Sequence, residues 1–309
     1  MNLAAFSSDG RNGIGVVSGE EILDLTAAWP ALAGAGGGRA PESIIELLNP
    51  DGLAALSARL SQASDAATRR HVRPLDRVQL HAPLPQTGKL LCVASNYAAH
   101  IAEAGREAPV DRHKITPWLF LKPATSIIGP GEPIPIPRMG QAIDWEVELA
   151  AVIGRRGRYV PVERALDIVS GYTIVNDISE RRFKVPEGRP KRDFDAFFDW
   201  LHGKWFDGFA PMGPWVVTAD EIPDPQGLAI ELRVDGRVRQ QGSTGEMIYP
   251  VAELVAFASS IMTLLPGDVI ATGTPHGVGA ATGEFLKPGA TVECRVERIG
   301  TLVNPVVAE

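Results

Sequence analysis

The chain reads as an α+β protein of predominantly β character, with a small β-rich unit ahead of a larger strand-dominated region. Three observations carry this reading. From Val78 onward the chain is a succession of short apolar runs interrupted by proline and glycine. Only two segments in that region have helical spacing. At the start, Leu3–Phe6 and Ile14–Val17 flank a turn-rich segment holding Asp9-Gly10, with Glu20–Leu25 as a third candidate strand.

Taken in order, Ala33–Gly38 is expected to be a loop, and Pro41–Arg59 a helix with Ile44, Ile45, Leu48 and Leu56 among its apolar positions. The polar, basic run from Ser64 to Arg73 suits a connector, so a boundary is placed at residue 75 between an N-terminal domain, 1–75, and a catalytic-type domain, 76–309. Pro130–Pro137 cannot be helical and suits an extended edge. The two helices are expected over Pro161–Ser170 and Pro250–Leu265, each opening on proline at a permitted first-turn position. Asp235-Gly236 reads as the turn of a hairpin over 232–238, and Thr291–Ile299 alternates as a strand.

Composition narrows the function. The chain has 309 residues, 45% hydrophobic and 22% charged, which is ordinary for a globular protein. A net charge of −7 argues against a nucleic-acid partner, which would want a dense Lys/Arg face. Cys92 and Cys294 lie in apolar segments without CxxC spacing, so they read as small buried hydrophobes. The start lacks the apolar core of a signal peptide, and no apolar run approaches the ~20 residues of a membrane span. A cytoplasmic location is expected.

Asp144-Trp-Glu-Val-Glu148 leads into an apolar strand, and a strand sends residues i and i+2 to one face. Glu146 and Glu148 therefore point together, while Trp145, Val147 and Leu149 pack opposite. The β-branched run Gly171–Asn176 reads as a strand ending at Asp177, and the intervening Pro161–Ser170 lets the chain return beside the glutamates. Three carboxylates without His or Cys form a hard-oxygen site suited to Mg²⁺, Mn²⁺ or Ca²⁺. A solvated sheet face with Asp177 capping a turn is the alternative.

His100 and Glu103 lie three apart, so on a helix they share a face, and the carboxylate would orient the imidazole as a general base. Otherwise they form a surface pair. Lys122 ends an apolar strand, where it could bind a substrate carboxylate or an enolate oxygen, or snorkel at the surface. Thr274 lies in a glycine-flanked turn able to donate to an anionic group.

Six stretches in register over residues 78–309 resemble the fumarylacetoacetate hydrolase family: LLCVASNYAAHIAEAG (90–105), LFLKPATSIIGPGEPI (119–134), DWEVELAAVIG (144–154), GYTIVNDISERR (171–182), HGKWFDGFAPMGPWVV (202–217) and LPGDVIATGTPHGVG (265–279). The resemblance implies a rolled mixed β catalytic domain in a homodimer, with Mg²⁺ or Mn²⁺ on Glu146, Glu148 and Asp177. It implies a His100–Glu103 dyad on a small helix, assisted by Lys122, and substrate contacts from Tyr97, Arg181 and Thr274. Lys204 matches a family lysine near the metal. Lys184 stands where some family hydrolases carry a substrate-binding glutamine, so recognition there is expected to differ. The aromatic segment 185–201 reads as a lid, a dimer interface or a surface helix. The implied activity is hydrolysis of a C–C bond in an acylpyruvate or other 2,4-dioxo acid, the metal chelating the oxo acid and holding the departing enolate while His100 activates water. Decarboxylation, isomerisation or hydration of an oxo acid on the same scaffold is the alternative, and a non-catalytic metal- or ligand-binding protein the more distant one.

Overall fold

The computed structural model describes residues 1–34, 38–108, 111–183 and 185–309, with the backbone alone for Asp65. Its centre is the strand Val147–Ile153, buried along its whole length. Alternation splits its side chains between two cores: Val147, Leu149, Ala151 and Ile153 enter one, Ala150 and Val152 the other. A strand covered on both faces reads as a continuous apolar run, which is why this segment lacks polar interruptions after Glu148.

Among the described residues the main sheet has 12 strands. Its path runs Val72–Pro74, Glu21–Asp24, Arg11–Ser18, Asn2–Ser8, Ala210–Thr218, Val169–Asn176, Val147–Ile153, Val269–Ala271, Leu90–Ala94, Trp118–Lys122. Most neighbours are antiparallel, but Val269–Ala271 and Leu90–Ala94 run parallel, so the sheet is mixed. A five-stranded sheet, built on the antiparallel run Arg237–Ser243, Ala229–Val234, Thr291–Val296, Gly300–Ala308, supplies Ile230, Leu232, Val292 and Leu302 to the first core. The helix Val251–Ile261 adds Leu254, Val255 and Ala258 to it. The first 75 residues enter the same architecture: Asn2–Ser8 pairs with Ala210–Thr218, and Leu3, Ile14 and Leu25 share the second core with Ala150 and Val175.

The expected hairpin at Asp235-Gly236 forms, and the turn-rich segment at Asp9-Gly10 closes a second one. Asp9-Gly10 and Asp235-Gly236 carry positive φ at both positions (50° and 74°, 51° and 73°), as the tight turn matching strand twist requires. Three helix boundaries differ from expectation. The segment from Pro41 gives a single 3-10 turn, Ile44–Glu46, then a helix over Pro50–Gln62. Pro50 cannot extend a preceding helix, and Asn49 caps the new one by accepting from the Gly52 amide at 2.8 Å. Pro161–Ser170 holds only the 3-10 turn Val162–Ile168, because β-branched Val169 begins the next strand. Pro250–Leu265 stops at Ile261. A helix at Leu25–Ala33, capped by Asp24, follows the third strand where no helical signal was read; Pro30 inside it obscured the pattern. Of the expected Ala33–Gly38 loop, 35–37 lie outside the described residues.

Leu149 is fully buried behind the two glutamates. Leu149→Ala is expected to lower unfolding free energy by about 2–5 kcal/mol in urea titration. Val303→Ala, at a half-exposed site, should stay within about 0.5 kcal/mol.

Candidate active site

Antiparallel pairing of Val147 with Asn176 sets Asp177 opposite Glu146. The Asp177 amide donates to the Glu146 carbonyl at 2.8 Å, and the Glu146 amide to Asn176 Oδ1 at 3.0 Å. This register brings Glu146, Glu148 and Asp177 together with ligand oxygens within 4.8 Å of one another, all three buried. They lie in the sheet's interior, so the solvated-face alternative does not apply.

Three cations answer the buried charge. Lys122 Nζ donates to Asp177 Oδ1 at 2.6 Å and to the Ile178 carbonyl at 3.0 Å. On its edge strand Lys122 alternates inward with Phe120 and is 3% exposed, so it does not snorkel. Lys204 Nζ bridges Glu146 Oε2 at 2.6 Å and Asp177 Oδ2 at 2.7 Å. It reaches in because Gly203 passes so close to Glu180 that an added Cβ would lie 2.3 Å from the Glu180 carbonyl oxygen. Arg181 donates to Glu146 Oε1 and, at 2.8 Å, to Asp144 Oδ2.

The balance is uneven. Burial works to raise the Glu146 pKa, but Lys204 and Arg181 outweigh it and hold the carboxyl well below the usual range. Glu148 accepts the Gly273 amide at 2.8 Å, and among the described residues no ion pair reaches it. Burial first, then Asp177 and Glu146, push its pKa well above the ordinary carboxylate value. An all-oxygen donor set with one carboxylate lacking a cationic partner fits a hard divalent ion.

Above this floor lies a cavity of about 1090 Å³ reached by Glu146, Glu148, Asp177, Arg181, Lys204, His100 and Glu103. His100 and Glu103 stand on the helix Ala98–Glu103, with Nδ1 2.6 Å from Glu103 Oε1. The second Glu103 oxygen accepts the Gly277 amide at 2.7 Å. A carboxylate oxygen at this distance can only accept from Nδ1, and the neutral tautomer that donates there has Nε2 as its acceptor. Asn96 anchors the helix's approach, donating to the Thr272 and Tyr249 carbonyls at 2.8 and 3.0 Å. Trp118, Leu121, Phe197, Trp200 and Trp205 form much of the outer wall.

Other expected site residues fall differently. Tyr97 is 1% exposed in the hydrophobic core and does not line the cavity; among the described residues its hydroxyl has no hydrogen-bond partner. Thr274 does line the cavity, but its hydroxyl donates to the Val147 carbonyl at 2.9 Å and accepts from Gln240 at 2.8 Å. Lys122 grips Asp177 from beneath and is not on the wall. Lys184 lies outside the described residues. Within 185–201, Asp195–His202 is helical, with Phe197 and Trp200 on the cavity while Phe194 and Phe198 face outward.

Sequence reading gave no role to Asp144, fully buried and bonded to Arg181, or to Gln240, which ties the Val147 amide to Thr274. Asp144 had a signal: it continues the alternation of Glu148 and Glu146 by one more step.

The chain is 38% identical over 313 residues, 99% of its length and 90% of the relative's, to the mitochondrial oxaloacetate tautomerase of Xenopus laevis. Among solved structures it matches maleylpyruvate hydrolase from Sphingobium sp. SYK-6, in complex with manganese(II) and pyruvate, at TM-score 0.75 and 32% identity over 100% of this chain and 99% of that one. It also matches 2-hydroxyhepta-2,4-diene-1,7-dioate isomerase from Mycobacterium marinum at TM-score 0.72 and 31% identity, again over 100% and 99%. A hydrolase, a tautomerase and an isomerase on one scaffold place the protein in the class of enzymes acting on oxo acids. The family model of the fumarylacetoacetate (FAA) hydrolase C-terminal region matches residues 89–307, and the chain belongs to that family.

The electrostatics of Glu148 yield a pH-dependent expectation. Its carboxyl binds a proton more tightly folded than unfolded, so its ionisation costs stability, and that cost is relieved as pH falls through the raised pKa. Glu148→Gln should therefore stabilise the metal-free protein at about pH 8 by on the order of 1 kcal/mol or more, the gain shrinking toward acid. The same change should abolish the rise in Tm that Mn²⁺ gives the parent. Thermal melts across pH, with and without Mn²⁺, check both; destabilisation at alkaline pH would contradict the account.

Proposed function

We propose that the protein hydrolyses a C–C bond in an acylpyruvate or related 2,4-dioxo acid. The observation that carries this reading is the His100–Glu103 pair sharing one cavity with the carboxylate triad. Mg²⁺ or Mn²⁺ held by Glu146, Glu148 and Asp177 would supply Lewis-acid polarisation of the 2-oxo acid. His100 Nε2 takes a proton from water, and the hydroxide oxygen bonds to the distal carbonyl carbon. The C–C bond then breaks, its electron pair leaves on the pyruvate fragment, and the proton on His100 returns to that carbon. Glu103 keeps the imidazole oriented. Arg181 and Lys204, already fixed at the floor, offset negative charge without reorganising. Lys122 acts one step back, holding Asp177 in place.

A second reading, enol–keto isomerisation, is favoured by the 38% identity with the Xenopus laevis tautomerase. It uses the same base without water. The protein with Mg²⁺ or Mn²⁺ is to be assayed on acylpyruvates for pyruvate, and on oxaloacetate for CO₂ and for loss of the enol absorbance. Pyruvate release supports hydrolysis; enol loss alone assigns a tautomerase, and CO₂ alone a decarboxylase. His100→Ala should lower turnover at least about 100-fold, while Mn²⁺ binding persists. Turnover untouched by His100→Ala would remove the base from the mechanism.

We also propose a homodimer. Trp118 and Leu121 on the edge strand, with Phe197, Phe198 and Trp205 beside them, expose large apolar surface at the cavity mouth. Light scattering after size exclusion should give twice the 33.0 kDa chain mass; the mass of one chain at micromolar concentration would refute it.

A further inference from the structure

The geometry points to Asp144 as a positioning residue that sets Arg181 and the His100–Glu103 pair in register with the carboxylate floor. The inference rests on the charge-offsetting role given to Arg181 in the proposed function. Asp144 is fully buried and its two oxygens accept four bonds. Oδ1 takes the Trp145 amide at 2.8 Å and the Gly279 amide at 2.6 Å; Oδ2 takes the Ala280 amide at 3.0 Å and Arg181 Nε at 2.8 Å. One carboxylate thus fixes a cation of the cavity and the turn that follows Gly277.

That turn reaches the dyad. The Gly277 amide donates to Glu103 Oε2 at 2.7 Å, while its carbonyl accepts Trp145 Nε1 at 3.1 Å. Asp144 and Trp145 immediately precede Glu146, so one short run of chain grips the turn from one side and begins the triad on the other. The turn has little freedom to shift. Gly277 has φ +99°, and a Cβ there would lie 2.0 Å from the Arg239 carbonyl oxygen; at Gly279 it would lie 2.1 Å from the Glu284 carbonyl oxygen and 2.7 Å from Asp144 Oδ1. Without Asp144, the Arg181 side chain keeps, among the described residues, only its bond to Glu146, and the turn loses the acceptor for two amides. Asp144 itself is not among the cavity-lining residues, so its effect on turnover has to run through the groups it holds.

The test is a double-mutant cycle on whichever oxo-acid reaction the parent enzyme runs, with Tm and Mn²⁺ affinity measured on each variant. Asp144→Asn keeps the shape but loses the charge and turns one acceptor into a donor. It should lower kcat/KM about 10-fold or more, as removal of a group supporting a site residue does. Arg181→Ala should also lower kcat/KM. Introduced into Arg181→Ala, the Asp144→Asn change should cost less than it does in the parent, because its hold on Arg181 is already gone and only its hold on the Gly279 and Ala280 amides remains. Losses that multiply in full, an Arg181→Ala enzyme with undiminished kcat/KM, or an Asp144→Asn enzyme that loses only Tm would each overturn the inference.

Amide hydrogen exchange reads the same link without activity, and also if Asp144→Asn does not fold. In Asp144→Asn, or in Asp144→Ser should the first variant not fold, the amides of Gly279 and Ala280 should exchange at least about 10-fold faster than in the parent; unchanged exchange overturns the inference. A parent with no turnover on any oxo acid would sink the proposed function while leaving this exchange measurement decisive for Asp144.

Discussion

Three carboxylates crowded within 4.8 Å beneath a sheet set the terms for the rest of the molecule. At an effective dielectric near 20, two unit charges about 4 Å apart repel by about 4 kcal/mol. Such a cluster survives burial only if cations arrive with good geometry. They come from separate parts of the chain: Lys122 from the end of an edge strand, Arg181 from just beyond Asp177, and Lys204 from the foot of the aromatic helix. Each needs its own tertiary support, so the sheet order, the inward alternation of Phe120 and Lys122, and the tight passage of Gly203 against Glu180 all serve one electrostatic requirement. Glu148 is left outside the pairing, and burial with Asp177 and Glu146 beside it raises its pKa.

The same requirement divides the cavity. Its floor is charged and rigid; its wall is aromatic. Lys204 passes close to the Phe120 and Trp200 rings, 5.3 and 5.8 Å from their centroids, and those rings meet edge to face at 5.2 Å. The aromatic groups thus shield the cation that bridges Glu146 and Asp177 and also line the space above it. Low polarity over a charged floor strengthens the floor's interactions with anything seated on it.

This division explains what the sequence discloses. Glu146 and Glu148 are legible because strand alternation is local, and Asp177 because a β-branched strand announces its own end. The His100–Glu103 pair is legible because helical spacing is local too. The burial of Tyr97 is not legible, for the opposite reason: its backbone bridges to Met247, a partner 150 residues away, and that contact draws it into the core. The Thr274 hydroxyl donates to Val147, 127 residues away, and accepts from Gln240, 34 residues away. Lys122 could be read as a cation near the site, but only the fold decides that it supports Asp177 from beneath. At the fold level the hairpins were readable from Asp-Gly pairs, whereas the helix starting at Pro50 and the strand starting at Val169 depended on which of two neighbouring signals prevailed.

The family's reactions share a demand that the floor meets: an oxo acid must be held while negative charge develops on it. A floor of fixed carboxylates and cations serves that demand whether a C–C bond breaks or a proton merely moves. The difference between those outcomes is water. Hydrolysis needs a molecule between His100 Nε2 and the substrate carbonyl, whereas isomerisation needs the base against carbon with water kept away. Water claims about 30 Å³, small against a cavity of about 1090 Å³. On the proposed reading, admission depends on how closely the apolar wall approaches His100 once substrate is seated, not on the carboxylate triad. The residues that share a floor with the family describe what these enzymes have in common. Trp118, Leu121, Phe197 and Trp200 stand where reactions on a shared floor can part.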